Sequence, residues 1–126
     1  MAEALTPIER LEGDPFEALA DPQRRTIVQM LRHGEQPVQA LADQLPISRP
    51  AVSRHLRLLK RAGLVTDRPE GTRRLYRLDQ QGLEAVRAYV DDIWGDAIRR
   101  FTLFAENTAS QADNQSVENS TDIPER

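Results

Sequence analysis

The stretch that decides the fold is Ser48-Arg-Pro-Ala-Val-Ser-Arg-His-Leu-Arg-Leu-Leu-Lys-Arg-Ala-Gly63. It predicts one helix of about four turns. Ser48 is a suitable N-cap, because its hydroxyl can accept a hydrogen bond from a free N–H of the first turn. Pro50 fits that turn, where its missing N–H is not needed. Gly63 supplies the end of the helix.

The two faces of this helix differ in chemistry when residues are placed about 100° apart. Val52, Leu56 and Leu59 share one arc with His55. The opposite arc has no acid and consists of Arg49, Ser53, Arg54, Arg57, Lys60 and Arg61. Because a solvated helix face usually mixes both signs of charge, this pattern predicts a DNA recognition helix. The alternative is an ordinary surface helix that happens to be basic.

Charge is unevenly distributed along the 126 residues, whose formal total is −3. Between Leu45 and Leu78, nine Lys and Arg residues stand against two acids, a local balance of +7. A basic region in an acidic chain indicates contact with a polyanion. The chain has no cysteine, which excludes disulfides and thiolate metal sites. With no signal peptide and no apolar run that could span a membrane, we expect a cytoplasmic protein.

Three shorter helices are predicted before the recognition helix, at about Pro15–Ala20, Pro22–His33 and Pro37–Gln44. The first two begin with an aspartate followed by proline, which suits the first turn of a helix. The third is separated from the recognition helix by the break at Pro46-Ile47. Two helices joined by such a short turn form a helix-turn-helix, in which the second helix enters the DNA groove.

A β-hairpin is predicted directly after the recognition helix. Two β-like runs, Leu64–Arg68 and Arg73–Leu78, flank the turn Pro69-Glu70-Gly71-Thr72. In this position a hairpin forms a wing, and arginines near its tip can reach phosphates or a minor groove. The alternative is a structural hairpin with solvated arginines. The candidate wing contacts are Arg68, Arg73 and Arg74.

A long final helix is predicted from about Gln80 to Ala105, with apolar residues at spacings of three and four. A helix this apolar must bury its stripe, and a second copy of the chain is the expected partner. Packing within one chain is the alternative. We expect residues 1–13 to be an N-terminal extension, 14–105 the DNA-binding and dimerisation domain, and 106–126 a disordered acidic tail. The candidate dimer contacts are Phe16, Leu83, Val86, Val90, Ile93, Trp94, Ala97, Phe101 and Phe104.

The motifs Ser48-x-x-x-Val52-Ser53-x-His55-Leu56 and Gly71-Thr-Arg-Arg-Leu-Tyr76-Arg-Leu78 resemble the ArsR/SmtB family of winged-helix repressors. The resemblance covers about residues 14–104. It implies a mainly α fold with a small β-hairpin wing, in the order α-α-α-α-β-β-α, assembled as a homodimer. It also implies double-stranded DNA with an inverted-repeat operator as the partner. The base-reading positions that it implies are Arg49, Pro50, Ser53 and Arg54; the whole candidate set on the recognition helix is Ser48, Arg49, Pro50, Ser53, Arg54, Arg57, Lys60 and Arg61.

The sequence departs from the metal-sensing members of this family. Pro37–Asp43 contains no Cys-x-Cys box, and the last helix has acids but no histidine. A borderline transition metal needs imidazole or thiolate ligands, and the two histidines, His33 and His55, make a poor site. We therefore expect a transcriptional regulator of the metal-independent branch with no cofactor, a repressor of its own promoter. The alternative is a ligand- or metal-responsive sensor with its effector site at the dimer interface.

An enzyme is not expected. Ser53 and His55 lie two positions apart on a helix and point in different directions, so they cannot form a nucleophile–base pair. A winged helix used for protein–protein contact is a further alternative, but it leaves the acid-free recognition face unexplained.

Overall fold

The computed structural model describes residues 4–120 of the chain. They form a winged helix-turn-helix, which confirms the predicted fold class. The described residues divide into two compact units, the first ending at Tyr89 and the second beginning at Val90. The elements are α1 (Pro15–Ala20), α2 (Pro22–Leu31), β1 (Gln36–Pro37), α3 (Val38–Asp43), α4 (Arg49–Arg61), β2 (Val65–Glu70), β3 (Arg73–Leu78) and α5 (Gln80–Ser120).

Caps confirm the predicted starts of α1, α2 and α4, whereas α3 begins at Val38 without a side-chain cap. The carboxylate of Asp14 accepts a hydrogen bond from the N–H of Phe16 at 2.9 Å, and Asp21 caps α2 in the same way. The Ser48 hydroxyl accepts from the N–H of Ala51 at 3.3 Å. Each cap satisfies a backbone donor that has no partner inside its own helix, and so fixes where that helix begins.

The core of the first unit is built on the apolar face of α4. Val52, Leu56 and Leu59 are completely buried, and they pack with Ile27 of α2 and Leu41 of α3, which are equally buried. Burial of a Leu or Ile side chain contributes roughly 1.5–3 kcal/mol. The core therefore fixes which side of α4 faces outward.

The sheet has one strand more than the sequence predicted. Its order is β1-β3-β2, with β1 paired antiparallel to β3 through Gln36↔Tyr76 and Pro37↔Leu75. A strand of two residues that includes a proline is too short to show the alternation of a strand, so no pattern revealed it. The wing is consequently attached to the chain just before α3 as well as just after α4.

The predicted end of the last helix at Ala105 is wrong, because α5 continues to Ser120. Residues 106–120 are thus helical, although a disordered tail was predicted there; residues 121–126 lie outside the described residues. The stretch is polar, but it contains neither glycine nor proline to end a helix. The division into 1–13, 14–105 and 106–126 stays a prediction. No helix in the described residues is long and apolar enough to cross a membrane.

Two glycines join the start of α5 to the end of α4. The N–H of Gly82 donates to the carbonyl oxygen of Gly63 at 2.6 Å. A Cβ at Gly82 would lie 2.7 Å from the carbonyl oxygen of Ala62, closer than a carbon atom can approach. Gly63 itself has a φ of 71°, which a residue with a side chain adopts only under strain.

Candidate nucleic-acid interface

The exposed face of α4 carries the predicted recognition residues. Since Val52, Leu56 and Leu59 hold the opposite face in the core, the cations of this helix project from the domain. Ser53 is half-buried. The exposed members of the predicted set are Ser48, Arg49, Pro50, Arg54, Arg57, Lys60 and Arg61.

The cations of α4 differ in how far they are already engaged. Arg49 donates to the amide oxygen of Gln39 on α3 at 3.3 Å, which connects the two helices of the motif. Within residues 4–120, Arg54 and Arg57 have no ion-pair partner, and Arg61 lies 3.8 Å from Glu12. Arg54 and Arg57 are therefore the recognition-helix cations whose guanidinium donors are most available to a phosphate or a base edge.

One carboxylate links the recognition helix to the wing. Asp67 on β2 accepts from Nζ of Lys60 at 2.8 Å and from Nε of Arg74 on β3 at 2.5 Å. Its side chain is only 6% exposed, whereas both cations are 53% exposed. Burial raises the pKa of Asp67, but the hydrogen bonds from Lys60 and Arg74 together with their positive charges outweigh it, and the net pKa is lowered. The carboxylate is thus ionised at neutral pH.

Each of the three predicted wing arginines is paired with an acid. Arg68 donates twice to Glu35, from Nε at 2.8 Å and from a terminal nitrogen at 2.9 Å. These hydrogen bonds hold the pKa of Glu35 below its usual value and raise that of Arg68. Arg73 lies 3.3 Å from Glu70 across the turn. Only Arg74, through Asp67, is connected to the recognition helix.

Sequence reasoning missed the acids that hold these arginines. The pair of Arg73 and Glu70 follows from the hairpin register, because a two-residue turn at Gly71-Thr72 places them opposite each other. Asp67 and Arg74 also share a face of the hairpin in that register. Glu35 comes from a distant part of the chain, and no local pattern could have identified it.

A cleft of about 290 Å³ brings the start of α4 together with the wing. Arg49 from α4 lines it with Arg73 and Arg74 from β3. Three predicted DNA contacts from two elements thus surround one space of suitable charge for a phosphate group. The remaining lining residues are Pro37, Val38, Gln39, Thr72 and Tyr76.

His55 is held between α4 and α2. Its Nε2 lies 3.1 Å from the amide oxygen of Gln23, and its Nδ1 lies 3.5 Å from Arg24. The tautomer protonated on Nε2 satisfies both contacts, since an arginine can only donate. Arg24 also donates to the carbonyl oxygen of Ala18 at 2.7 Å, at the end of α1. His55 therefore has both ring nitrogens occupied by packing contacts.

No group of three His, Cys, Asp or Glu side chains that could hold a metal ion occurs among residues 4–120. His33 is exposed and has Arg32 beside its Nε2 at 3.4 Å. On α5, Asp96 forms a hydrogen bond with Arg99.

The predicted dimer contacts on α5 are largely uncovered within one chain. In the first unit, Leu83 is exposed, and Phe16 of α1 makes an edge-to-face contact with Tyr89 at 5.2 Å between ring centres. In the second unit, Phe101 and Phe104 are 73% and 70% exposed. Val86 and Val90 are half-buried, and Ala97 is exposed together with Ile93 and Trp94. Exposed apolar side chains in this number mark an interaction surface.

The chain is similar to known DNA-binding regulators. A profile of the Helix-turn-helix domain family matches residues 19–68. HTH-type transcriptional regulator Rv2034 of Mycobacterium tuberculosis is 50% identical over 99 residues, which cover 79% of this chain and 90% of that protein. The Arsenical resistance operon repressor of Escherichia coli is 35% identical over 97 residues, 76% of this chain and 83% of the repressor.

Solved structures show the same similarity. The crystal structure of a possible transcriptional regulator for arsenical resistance shares 45% identity and a TM-score of 0.57, over 79% of this chain and 96% of that one. A homodimeric winged helix-turn-helix DNA-binding domain from Mycobacterium bovis shares 34% identity and a TM-score of 0.51. That match covers 65% of this chain and 75% of the domain.

Proposed function

Since the chain belongs to the ArsR/SmtB family of winged helix-turn-helix transcriptional regulators, we propose that it is a homodimeric repressor acting without a metal cofactor. Its binding site is an inverted-repeat operator in its own promoter. The observation that carries this proposal is the division of α4 into a completely buried apolar face and an exposed face without acids.

The exposed residues have distinct tasks in this proposal. Arg49 and Arg54 lie in the first two turns of α4, the part of a recognition helix that reaches base edges in the major groove. Arginine can form two hydrogen bonds to guanine, which gives roughly 1–3 kcal/mol of discrimination per base pair. Arg57, Lys60 and Arg61, with the wing arginines, contact phosphates and set the orientation of the protein on the duplex.

Dimerisation follows from the apolar side chains that a single chain leaves exposed. A second copy covers Phe101 and Phe104 of α5 and the other predicted dimer contacts, among them Phe16 of α1. A two-fold dimer places two recognition helices about one DNA turn apart, roughly 34 Å, which requires an inverted repeat. Repression then results from occupation of a promoter that overlaps the operator.

The chemistry of the available side chains supports metal independence. The chain has no cysteine and only two histidines. His55 uses both ring nitrogens for contacts with α2, and His33 lies beside an arginine. Zinc, nickel and copper sites in proteins depend mainly on thiolates and neutral imidazoles, which this chain cannot supply as a set.

Footprinting on the DNA upstream of its own coding sequence tests the proposal. We expect a protected region with two half-sites related by two-fold symmetry, and reporter expression from that promoter that falls when the protein is present. Protection of no sequence above that of random DNA at physiological salt would contradict the DNA-binding proposal. Protection of one isolated half-site by a monomer would contradict the dimeric arrangement.

A further inference from the structure

We infer that Asp67 is a specificity-determining residue of the DNA-binding surface. Its carboxylate fixes Lys60 and Arg74 relative to each other. It also lowers the affinity of these two cations for DNA phosphates in nonspecific binding. The inference rests on the proposed function, because it assigns a role within the contact that α4 and the wing make with DNA.

The geometry separates a buried anion from two accessible cations. Asp67 is 6% exposed, so a phosphate cannot take its place without opening the structure. Lys60 and Arg74 keep about half of their surface exposed and retain further N–H donors beyond those that Asp67 engages. Both cations can therefore contact DNA, but only from positions that the carboxylate sets.

The same carboxylate joins three elements into one body. Register places Asp67 opposite Tyr76 and Pro69 opposite Arg74, so that Asp67 and Arg74 share one face of the wing. Lys60 in the last turn of α4 reaches that face. The recognition helix and both wing strands are consequently held at a constant spacing. Specific binding requires an operator whose groove and phosphates match this spacing, whereas nonspecific binding to random DNA does not.

The charge of Asp67 also limits nonspecific binding to DNA. Nonspecific affinity depends on how many phosphates the protein neutralises, and each one adds about 0.9 to the log–log salt slope. Asp67 cancels one of the two positive charges at its site. A neutral residue at position 67 leaves about one more positive charge free to contact phosphates of any sequence. It also loosens the spacing between the recognition helix and the wing, on which specific contacts depend. Both effects lower the ratio of specific to nonspecific affinity.

The test compares Asp67→Asn with Glu84→Gln, a control with the same change in net charge. Glu84 is exposed on α5 and has no ion-pair partner in the described part of the chain. Two duplexes of equal length serve as probes, one selected by the wild-type protein from a random-sequence library and one of scrambled sequence. Affinity for each is measured by fluorescence anisotropy over a range of salt concentrations.

For Asp67→Asn we expect roughly threefold to tenfold tighter binding to the scrambled duplex, and a salt slope steeper by about one. Binding to the selected duplex does not improve in proportion, so the specificity ratio falls. Glu84→Gln leaves the ratio at the wild-type value. Circular dichroism confirms that each variant is folded at the assay temperature.

Asp67→Glu provides a second variant that keeps the charge and displaces the carboxylate by one methylene. It should lower the specificity ratio with an unchanged salt slope, and it decides the matter if Asp67→Asn does not fold. If both Asp67 variants kept the wild-type ratio of affinity for the selected duplex to affinity for the scrambled duplex, the inference would be overturned and the proposed function would stand. Failure of the wild type to enrich any sequence from the library would instead overturn the proposed function.

Discussion

Gly82 donates its backbone N–H to the carbonyl oxygen of Gly63 across 2.6 Å, so the backbone of the first turn of α5 contacts the residue that follows the recognition helix. Side chains are disfavoured at both positions: a Cβ at Gly82 would lie 2.7 Å from the carbonyl oxygen of Ala62, and one at Gly63 would lie 3.1 Å from the backbone nitrogen of Gly82 on a residue whose φ is already positive. The orientation of α4 relative to the start of α5 is therefore fixed by two glycines.

We expect Gly82→Ala to lower the free energy of unfolding by about 1–3 kcal/mol, because the new methyl group meets backbone atoms that cannot move aside. Gly95→Ala is the matched control on the same helix. There a Cβ would meet only the side-chain ends of Asp91 and Arg99, at 3.2 and 3.3 Å. The control should be neutral or stabilising by up to about 1 kcal/mol. Urea unfolding measures both, and equal destabilisation would contradict the close contact.

Asp67→Asn should lower the free energy of unfolding by about 1–3 kcal/mol at neutral pH, since the carboxylate accepts two charged hydrogen bonds. The folded-state pKa of Asp67 lies below its unfolded value. Its stabilisation is therefore complete above the unfolded pKa and is lost as pH falls through the folded one. Urea unfolding of wild type and variant from neutral to strongly acidic pH should show the difference shrink. A difference independent of pH would contradict the assignment.

Arg54→Ala should relax the base preference of the protein at particular positions, at a cost of roughly 1–3 kcal/mol for the preferred sequence. The reason is that Arg54 is exposed on α4 without an ion-pair partner in the described residues. Library selection followed by sequencing reads out the preference. Arg32→Ala, which removes an equal charge from the end of α2, should leave the preference unchanged. An equal loss of affinity for every sequence would make Arg54 a phosphate contact only.

Ile93→Asp and Phe101→Asp should each yield monomers with affinity near the nonspecific level. Both side chains are more than half exposed within one chain, so an aspartate there meets the second copy and not the core. Light scattering gives the mass, and anisotropy gives the affinity. Leu103→Asp is the control for Phe101→Asp and should stay dimeric, since Leu103 is 59% exposed but lies two positions, about 200°, further round α5. A monomeric wild type at micromolar concentration would contradict the dimer.

Stoichiometric Zn²⁺, Ni²⁺ or Cu⁺ should not release the protein from DNA, because the chain lacks the thiolates and the cluster of imidazoles that such ions require. Anisotropy of a labelled operator is followed during metal addition. An equal ionic strength of magnesium salt is the control for screening. Release by one of the transition metals beyond that control would overturn metal independence.

The elements that the sequence predicted well are those with local causes. Helix α4 follows from the cap at Ser48 and from the spacing of Val52, Leu56 and Leu59, which are properties of neighbouring residues. The hairpin likewise follows from its predicted turn, although Pro69 and Glu70 belong to β2 and the turn itself is only Gly71-Thr72. Such features depend on backbone geometry that a short stretch determines by itself.

What the sequence did not predict depends on contacts between distant residues. Strand β1 exists because β3 offers Gln36 and Pro37 a partner, and the bidentate contact of Arg68 requires Glu35 to be brought beside the wing. The candidate DNA contacts could thus be named by residue type and spacing. How far each cation is already neutralised could be seen only after the chain had folded.

The pairing of Gln36 with Tyr76 has a consequence for the modularity of the chain. This contact closes a loop of about forty residues, which contains α3, α4 and β2. Closing the loop costs conformational entropy, and the contacts formed within the loop must offset that cost. A fragment that stops at residue 68 retains both helices of the motif, yet leaves β1 and β2 without the strand that lies between them. The shortest fragment of this protein that keeps both helices of the motif and all three strands of the sheet therefore extends through Leu78.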